Sequence, residues 1–330
     1  MHSVPPNPSI TVLVPVFNSQ DSLALLVDRL EPVLRGMGVP FEMVLVNDGS
    51  RDGSWDVVRK LIAGRDWVRG INLMRNYGQH NALLCGVRAA RHEVIVTIDD
   101  DLQNPPEEIP RLLGHLLPEV DVVYGYPRAE QHGLWRDLAS VLTKRVMQKT
   151  MGVEAAKYIS AFRAFRTPLR EAFAQFSGPA VSIDVLLSWG TTRFAAIDVE
   201  HLPRPIGKSN YALWKLVVHA LNMITGFSTI PLRLASLTGF AFTLFGFLLL
   251  AYILGRYLIE GGSVPGFPFL ASTIAILSGV QLFALGIIGE YMARIFNRIM
   301  GRPSYTVRAE VNNISAVAET NSTIRLCKEA

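Results

Sequence analysis

The chain has 330 residues, 49% of them apolar and only 18% charged, with a formal net charge of +4. So small a positive surplus, with no basic stripe carrying interleaved aromatics, makes no case for nucleic acid as a partner, and none is expected. Two distant cysteines, Cys85 and Cys327, exclude a disulfide framework and a Cys-based zinc site.

Met1 to Ser9 is proline-rich without an apolar core, so no cleavable signal peptide is expected and the bulk of the chain is assigned to the cytosol. The run Ser9 to Phe17 is apolar and β-branched and ends at Asn18, which predicts a buried strand. Asp21 to Leu34 has helical spacing, with Leu23, Leu26, Val27, Leu30 and Leu34 on one side. The cycle repeats with a strand Phe41–Val46, a turn Asn47 to Ser50 and a helix from Gly53 to Ala63. A third strand, Val68–Leu73, leads through Asn76-Tyr77-Gly78-Gln79 into a helix ending at Ala90. The apolar run Glu93 to Ile98 then closes on three consecutive carboxylates, Asp99-Asp100-Asp101. A helix from Pro106 to Leu117 and a strand Asp121–Gly125 follow.

Such alternation predicts a mostly parallel sheet with helices on both faces, in which ligands bind at the carboxyl ends of the strands. Asn18, Asp48, Arg75-Asn76 and Asp99–Asp101 all fall there. Clustered acid at a strand end can hold a hard divalent cation, and the cation a diphosphate. The same acids could instead cap the following helix.

Trp135 to Thr150 is basic and amphipathic, and Tyr158 to Arg166 is short and mixed. Val181 to Trp189 reads as a helix and Phe194–Val199 as a strand. A polar loop, Arg204 to Tyr211, leads into an amphipathic helix, Ala212 to Phe227, suited to a membrane interface. Leu234 to Leu254 is 21 residues without a charge, and Phe267 to Gly289 is 23. Each can cross a hydrocarbon core, and two in tandem with a short linker predict a transmembrane hairpin. Arg204, Lys208, Lys215 and Arg233 precede the first span, Arg294, Arg298, Arg302 and Arg308 follow the second, and the loop between has only Arg256. The positive-inside rule places both termini and the preceding domain in the cytoplasm. After Glu310 the polar chain lacks periodicity and reads as a disordered tail.

These motifs together resemble a known family. Val14-Pro15-Val16-Phe17-Asn18, Val46-Asn47-Asp48-Gly49-Ser50 and Asp99-Asp100-Asp101-Leu102-Gln103-Asn104-Pro105-Pro106-Glu107 resemble family 2 glycosyltransferases of the GT-A type. Within that group the chain is similar to polyprenyl-phosphate glycosyltransferases: bactoprenol glucosyltransferases, dolichyl-phosphate mannosyltransferases and undecaprenyl-phosphate aminoarabinose-type transferases. Asn76 to His80, the acid cluster and Gly289-Glu290-Tyr291 resemble the last branch most. The resemblance implies an α/β fold, a GT-A Rossmann-like sheet followed by a two-helix transmembrane hairpin. Its divisions are an arm at 1–9, a catalytic domain at 10–203, an interfacial segment at 204–230, the hairpin at 231–291 and a cytoplasmic tail at 292–330.

The implied activity is inverting transfer of a sugar from a nucleotide-sugar, read as a UDP-sugar, to polyprenyl (undecaprenyl) phosphate at the cytoplasmic membrane. Pro15, Asn18, Asp48, Asn76, Gln79, Asp99 and Asp100 would face the donor, with Asp48 on a uracil-like base. Asp99, Asp101 and Gln103 would hold Mg²⁺ or Mn²⁺. Family members usually carry a small residue where Asp100 stands, so this extra carboxylate is expected to face solvent or, as the second reading, to raise local cation affinity. Arg128, Arg136, Ser140 and Lys208 would bind the acceptor phosphate, as cationic donors suit that anion. Sugar choice would depend on loops around Arg75–His80, Tyr124–Arg128 and Ser182–Trp189. Membrane lipid is an implied partner, and hairpins of this kind often pack with copies of themselves, so a homo-oligomer is expected.

One departure touches the chemistry. Related enzymes place an Asp ahead of the Phe162-Arg163-Ala164-Phe165-Arg166 stretch as the proposed base, and Lys157 stands there in this chain. Three readings follow, in order of preference. The acceptor is already an anion, so a base is dispensable and Asp101 is the catalytic carboxylate; Asp184 approaches from the next helix; or the chain is a degenerate, membrane-anchored homologue that binds nucleotide-sugar with an altered donor or no turnover. A processive polysaccharide synthase is a weaker alternative, because only two spans follow the domain and no Gln-x-x-Arg-Trp stretch occurs.

Overall fold

The computed structural model describes residues 8–127, 158–178, 181–203, 230–260 and 266–313. Eight strands among them form one sheet: β1 (Ile10–Val16), β2 (Phe41–Asn47), β3 (Val68–Leu73), β4 (Val94–Thr97), β5 (Val122–Pro127), β6 (Arg163–Arg166), β7 (Phe194–Val199) and β8 (Val307–Val311). Their order is β7-β5-β6-β4-β1-β2-β3-β8. The centre, β4-β1-β2-β3, is parallel, β6 and β8 run antiparallel to their neighbours, and β7 is parallel to β5.

The helices of this unit are α1 (Leu23–Gly36), α2 (Ser54–Ala63), α3 (Gln79–Ala89), α4 (Ile109–Gly114) and α5 (Ile183–Gly190). Strand periodicity divides the core into two layers. Val12, Val14 and Val16 of β1 pack with Leu23, Leu26, Val27 and Leu30 of α1 on one face. Leu13 packs with α3 and α5 on the other. The five α1 positions expected to face inward are the buried ones.

Four differences from the sequence reading have physical causes. The stretch from Pro106 is a 3₁₀ turn, Pro106–Glu108, followed by a helix that stops at Gly114, three residues short of Leu117. Pro110 sits at its first turn, and Gly114 ends it. The mixed segment before Arg166 contains β6, whose alternation is hidden by a buried arginine, Arg163. The apolar stretches extend to Glu260 and Ile299, beyond the charge-free runs, because helix geometry tolerates the flanking Arg256, Glu290 and Arg294. Finally, β8, which the sequence does not predict, pairs with β3 at the sheet edge and ends one residue into the polar stretch after Glu310. Five residues with no buried pattern of their own carry little signal, and the sheet edge supplies what they lack.

The second unit comprises α6 (Ile230–Glu260) and α7 (Phe267–Ile299). Within them Pro231–Ile253 and Ile276–Phe296 are long and apolar enough to cross a membrane, and almost nothing of either is buried. A core helix of a soluble protein would hide such a surface. Phe240, Phe247, Leu258, Leu282 and Phe283 are all more than half exposed.

An ionic chain crosses the sheet from β2 to β8. Arg69 donates to Glu42 at 2.7 Å and to Glu310 at 2.8 Å, and Glu42 also accepts from Thr11 Oγ1 and the Arg91 N–H. Burial alone would raise the Glu42 carboxyl, but Arg69, the Arg91 amide and Thr11 together hold it below its ordinary range. A depressed carboxylate stabilises the fold above its unfolded value, and that contribution disappears as pH falls through the folded value. The melting temperature of the wild type is therefore expected to fall more steeply than that of Glu42→Gln as pH drops below 4.5. Parallel melting curves of the two proteins against pH would refute this.

Candidate active site

The carboxyl ends of β1 to β4 line one cavity along the sheet edge, and a second opens from the end of β4 towards β5, the approach to β6 and the exit of β7. The smaller, about 250 Å³, is lined by Pro15, Phe17, Asp48, Asn76, Gly78, Gln79 and the acid triplet. The larger, about 540 Å³, is lined by Asp99, Asp101, Gln103, Asn104, Tyr126, Tyr158, Ser160 and His201 among others. Asp99 and Asp101 belong to both.

Local geometry explains how each acid is aimed. After Asp101 the backbone turns through Leu102 at φ 60°, an unfavourable region for a branched residue, held because its side chain is buried. That turn lets Asp101 Oδ1 accept the Gln103 N–H at 3.1 Å. Asp99 Oδ1 accepts from Gln79 Nε2 at 2.7 Å, which ties the first residue of α3 to the strand end. Asp100, expected to face solvent, instead accepts a short hydrogen bond from Ser19 Oγ and a 3.4 Å bond from the Phe17 N–H. The odd carboxylate fastens the β1 exit to the β4 exit.

Asp48 is buried, and its two oxygens accept the N–H groups of Tyr77 at 2.7 Å and Gly78 at 2.8 Å. Burial pushes its carboxyl up, and the two amides pull it partly back. It thus shapes the Arg75–Gly78 loop while lining the smaller cavity. Asn18 has φ 54°, offers its N–H to Ser50 Oγ at 3.0 Å and accepts the Arg51 N–H at 2.9 Å. It joins two loops and is not among the residues lining either cavity.

Gly49 lies where those loops meet. Its φ is +63°, and a Cβ there would sit 2.4 Å from the carbonyl carbon of Arg75 and the nitrogen of Asn76. Neither backbone atom can swing away. Gly49→Ala is expected to cost about 2–4 kcal/mol of stability and to displace the loop held by Asp48, which denaturant unfolding would measure. A loss under about 0.5 kcal/mol would refute the crowding argument.

Asp184 lies apart. It is 4% exposed, and its Oδ1 accepts a short bond from Arg163 Nη1 and a 2.9 Å bond from the Tyr124 hydroxyl. Arg163 Nε also donates to Thr97 Oγ1 at 3.1 Å. Burial opposes the Arg163 charge, but Asp184, with Tyr124 and Asp99 adding, raises its pKa further. Asp184 lines neither cavity and is the counter-ion of the buried Arg163 guanidinium. Arg128, Arg136, Ser140, Lys157 and Lys208 lie outside the described residues.

Several lining residues carried no specific sequence signal. Tyr158, Ser160 and His201 come from the approach to β6 and the exit of β7, while Asn104 lies in the acid-cluster motif, which assigns it no role. Tyr126 falls within the segment expected to affect sugar choice, and its ring stacks on Tyr158 at 4.4 Å. His201 is brought in because the next amide, Leu202 N–H, donates to the Gln103 carbonyl at 2.8 Å.

Comparison with known proteins agrees with this architecture. Residues 11–173 match Glycosyl transferase family 2. Undecaprenyl-phosphate 4-deoxy-4-formamido-L-arabinose transferase of Pectobacterium carotovorum is 34% identical over 307 residues, 92% of this chain and 94% of that protein. The enzymes of that name from Shewanella sediminis and Yersinia pestis are each 35% identical, covering 91% and 93% of this chain and 91% and 94% of their own length. Among solved structures, glucosyl-3-phosphoglycerate synthase of Mycobacterium tuberculosis in complex with Mn²⁺ and UDP-glucose has a TM-score of 0.50 at 18% identity. It covers 66% of this chain and 77% of that one, a likeness of fold. The strand-end carboxylates, the mixed sheet and near-full-length similarity to named transferases carry one conclusion: the chain is a glycosyltransferase and belongs to glycosyl transferase family 2.

Proposed function

We propose that the protein moves a sugar from a nucleotide-sugar, read as a UDP-sugar, to polyprenyl (undecaprenyl) phosphate at the cytoplasmic membrane, with inversion. The observation that carries this is the sharing of Asp99 and Asp101 between two cavities. The smaller, with Asp48, Asn76 and Gln79, suits a nucleoside, and the larger suits a sugar and an incoming phosphate. A leaving diphosphate would then lie across the common wall. The relatives' names supply the acceptor class, and the two long apolar helices supply a place for its lipid. The flanking arginines favour cytoplasmic ends for both helices.

The donor set fits a hard divalent cation. No group of three or more His, Cys, Asp or Glu side chains able to hold a metal occurs among the described residues. Two carboxylates completed by substrate phosphate oxygens are the usual arrangement for Mg²⁺. Asp99 and Asp101, with the Gln103 side chain nearby, would hold Mg²⁺ or Mn²⁺, and the bound ion would neutralise charge on the departing diphosphate. Gln79 and the Gln103 N–H keep these two carboxylates oriented.

A protein base is not required. A phosphate monoester has a second pKa near about 6, so its attacking oxygen is already anionic at neutral pH. Arg128, Arg136, Ser140 and Lys208 remain the proposed acceptor contacts. Purified protein in detergent, given labelled nucleotide-sugars and undecaprenyl phosphate, should place a single labelled sugar on the lipid. A polymer product, or donor binding without transfer, would overturn the reading.

A further inference from the structure

The segment that follows α7 in the chain returns to the sheet beside the Arg75–Gly78 loop, and its contacts there are specific. Ser304 is 5% exposed, and its hydroxyl donates to the Gly178 carbonyl at 2.9 Å and accepts the Gly178 N–H at 3.2 Å. The Met74 N–H donates to the Thr306 carbonyl at 2.9 Å, and Arg308 Nη2 donates to the Met74 carbonyl at 3.2 Å. Glu310 accepts from Arg69, and Arg88 lies 5.8 Å over the Tyr305 ring. Thr306 also faces the Tyr77 phenol, whose pKa it lowers. The contacts of Thr306, Arg308 and Glu310 fall on β3 or on the loop that β3 feeds, Tyr305 meets Arg88 of α3, and Ser304 ties the segment to Gly178. Three and four residues beyond Met74, Tyr77 and Gly78 direct their amides onto Asp48.

We infer that Ser304–Val311 is a positioning strap for the donor loop: it fixes the chain at Met74 so that the Tyr77 and Gly78 amides stay on Asp48, and Asp48 and Asn76 meet the nucleotide in a preset geometry. The strap touches no reacting atom. It acts by removing freedom from a loop that would otherwise be ordered at each binding event, and such preorganisation appears as affinity. A donor-side effect is therefore specific to it, because the strap makes none of the contacts that line the larger cavity.

The inference rests on the donor reading above, and its test separates the two. The full-length variant Ser304→Ala/Arg308→Ala/Glu310→Gln removes three anchors without touching a cavity residue. Hydrogen exchange of the Tyr77 and Gly78 amides should accelerate at least tenfold. The Kd for UDP in Mn²⁺ should rise about tenfold and the donor KM with it, while the KM for undecaprenyl phosphate stays within twofold. Ser304→Thr, which keeps the hydroxyl, should retain wild-type affinity. Unchanged amide exchange, or an unchanged UDP Kd despite faster exchange, would overturn the strap. So would a parallel rise in both KM values, the mark of general loosening. Failure of the wild type to bind UDP would overturn the donor reading, while the exchange measurement would still decide whether the strap holds the loop.

Discussion

Asp101→Asn is expected to lower sugar transfer by roughly 10³-fold while leaving the melting temperature within a few degrees of wild type. The substitution is isosteric, and the amide oxygen can still accept the Gln103 N–H that fixes the turn. What it removes is negative charge at the wall between the two cavities. With one carboxylate fewer, the site holds a divalent cation poorly, and stabilisation of charge developing in the transition state is worth roughly 10²–10³ in rate for a single group. Asp100→Asn should behave differently. That carboxylate binds Ser19 Oγ and the Phe17 N–H, so its loss should loosen the β1 exit and lower stability more than rate. Radiolabel transfer at saturating donor, read beside thermal unfolding, distinguishes the two. If Asp101→Asn kept a tenth of wild-type activity, the shared-wall reading would fail.

The difference between these neighbours shows what a sequence can carry. Strand ends followed by acid were legible because the apolar runs of β1 to β4 are short, β-branched and regularly spaced by helices. That pattern alone put Asp48, Asn76 and the triplet on one edge, where the smaller cavity gathers them. The role of Asp100 was not legible, since it depends on Ser19 from an element some 80 positions away in the chain. The same holds for β8, whose existence depends on an open edge at β3. His201 reaches the larger cavity only through the Leu202 amide on the Gln103 carbonyl. Contacts between remote loops leave no periodicity, and periodicity is what the sequence offers.

Asp184→Leu is expected to destabilise the fold by about 3–5 kcal/mol, because it leaves the Arg163 guanidinium buried and without its counter-ion. Lost activity in that variant would not by itself separate a base from a structural anion. Removing the whole polar group does. In Arg163→Met/Asp184→Leu/Tyr124→Phe this cluster keeps no charge, and the Tyr124 hydroxyl that pairs with Asp184 goes with it. Thr97 still donates to the Ala161 carbonyl at 2.6 Å. Replacing a buried ion pair by apolar groups of similar volume is often neutral or stabilising, so the triple variant should recover most of the lost stability. If Asp184 only neutralises Arg163, transfer should recover to within about tenfold of wild type, the remainder reflecting loss of the Arg163 field at Asp99. If Asp184 were the base, the triple variant would fold and still lack the 10²–10⁴-fold that such a group supplies. A folded but inactive triple variant would therefore restore Asp184 to the chemistry. Recovery would leave the acceptor's anionic phosphate oxygen attacking without a protein base, and would explain why a lysine at position 157 is compatible with transfer.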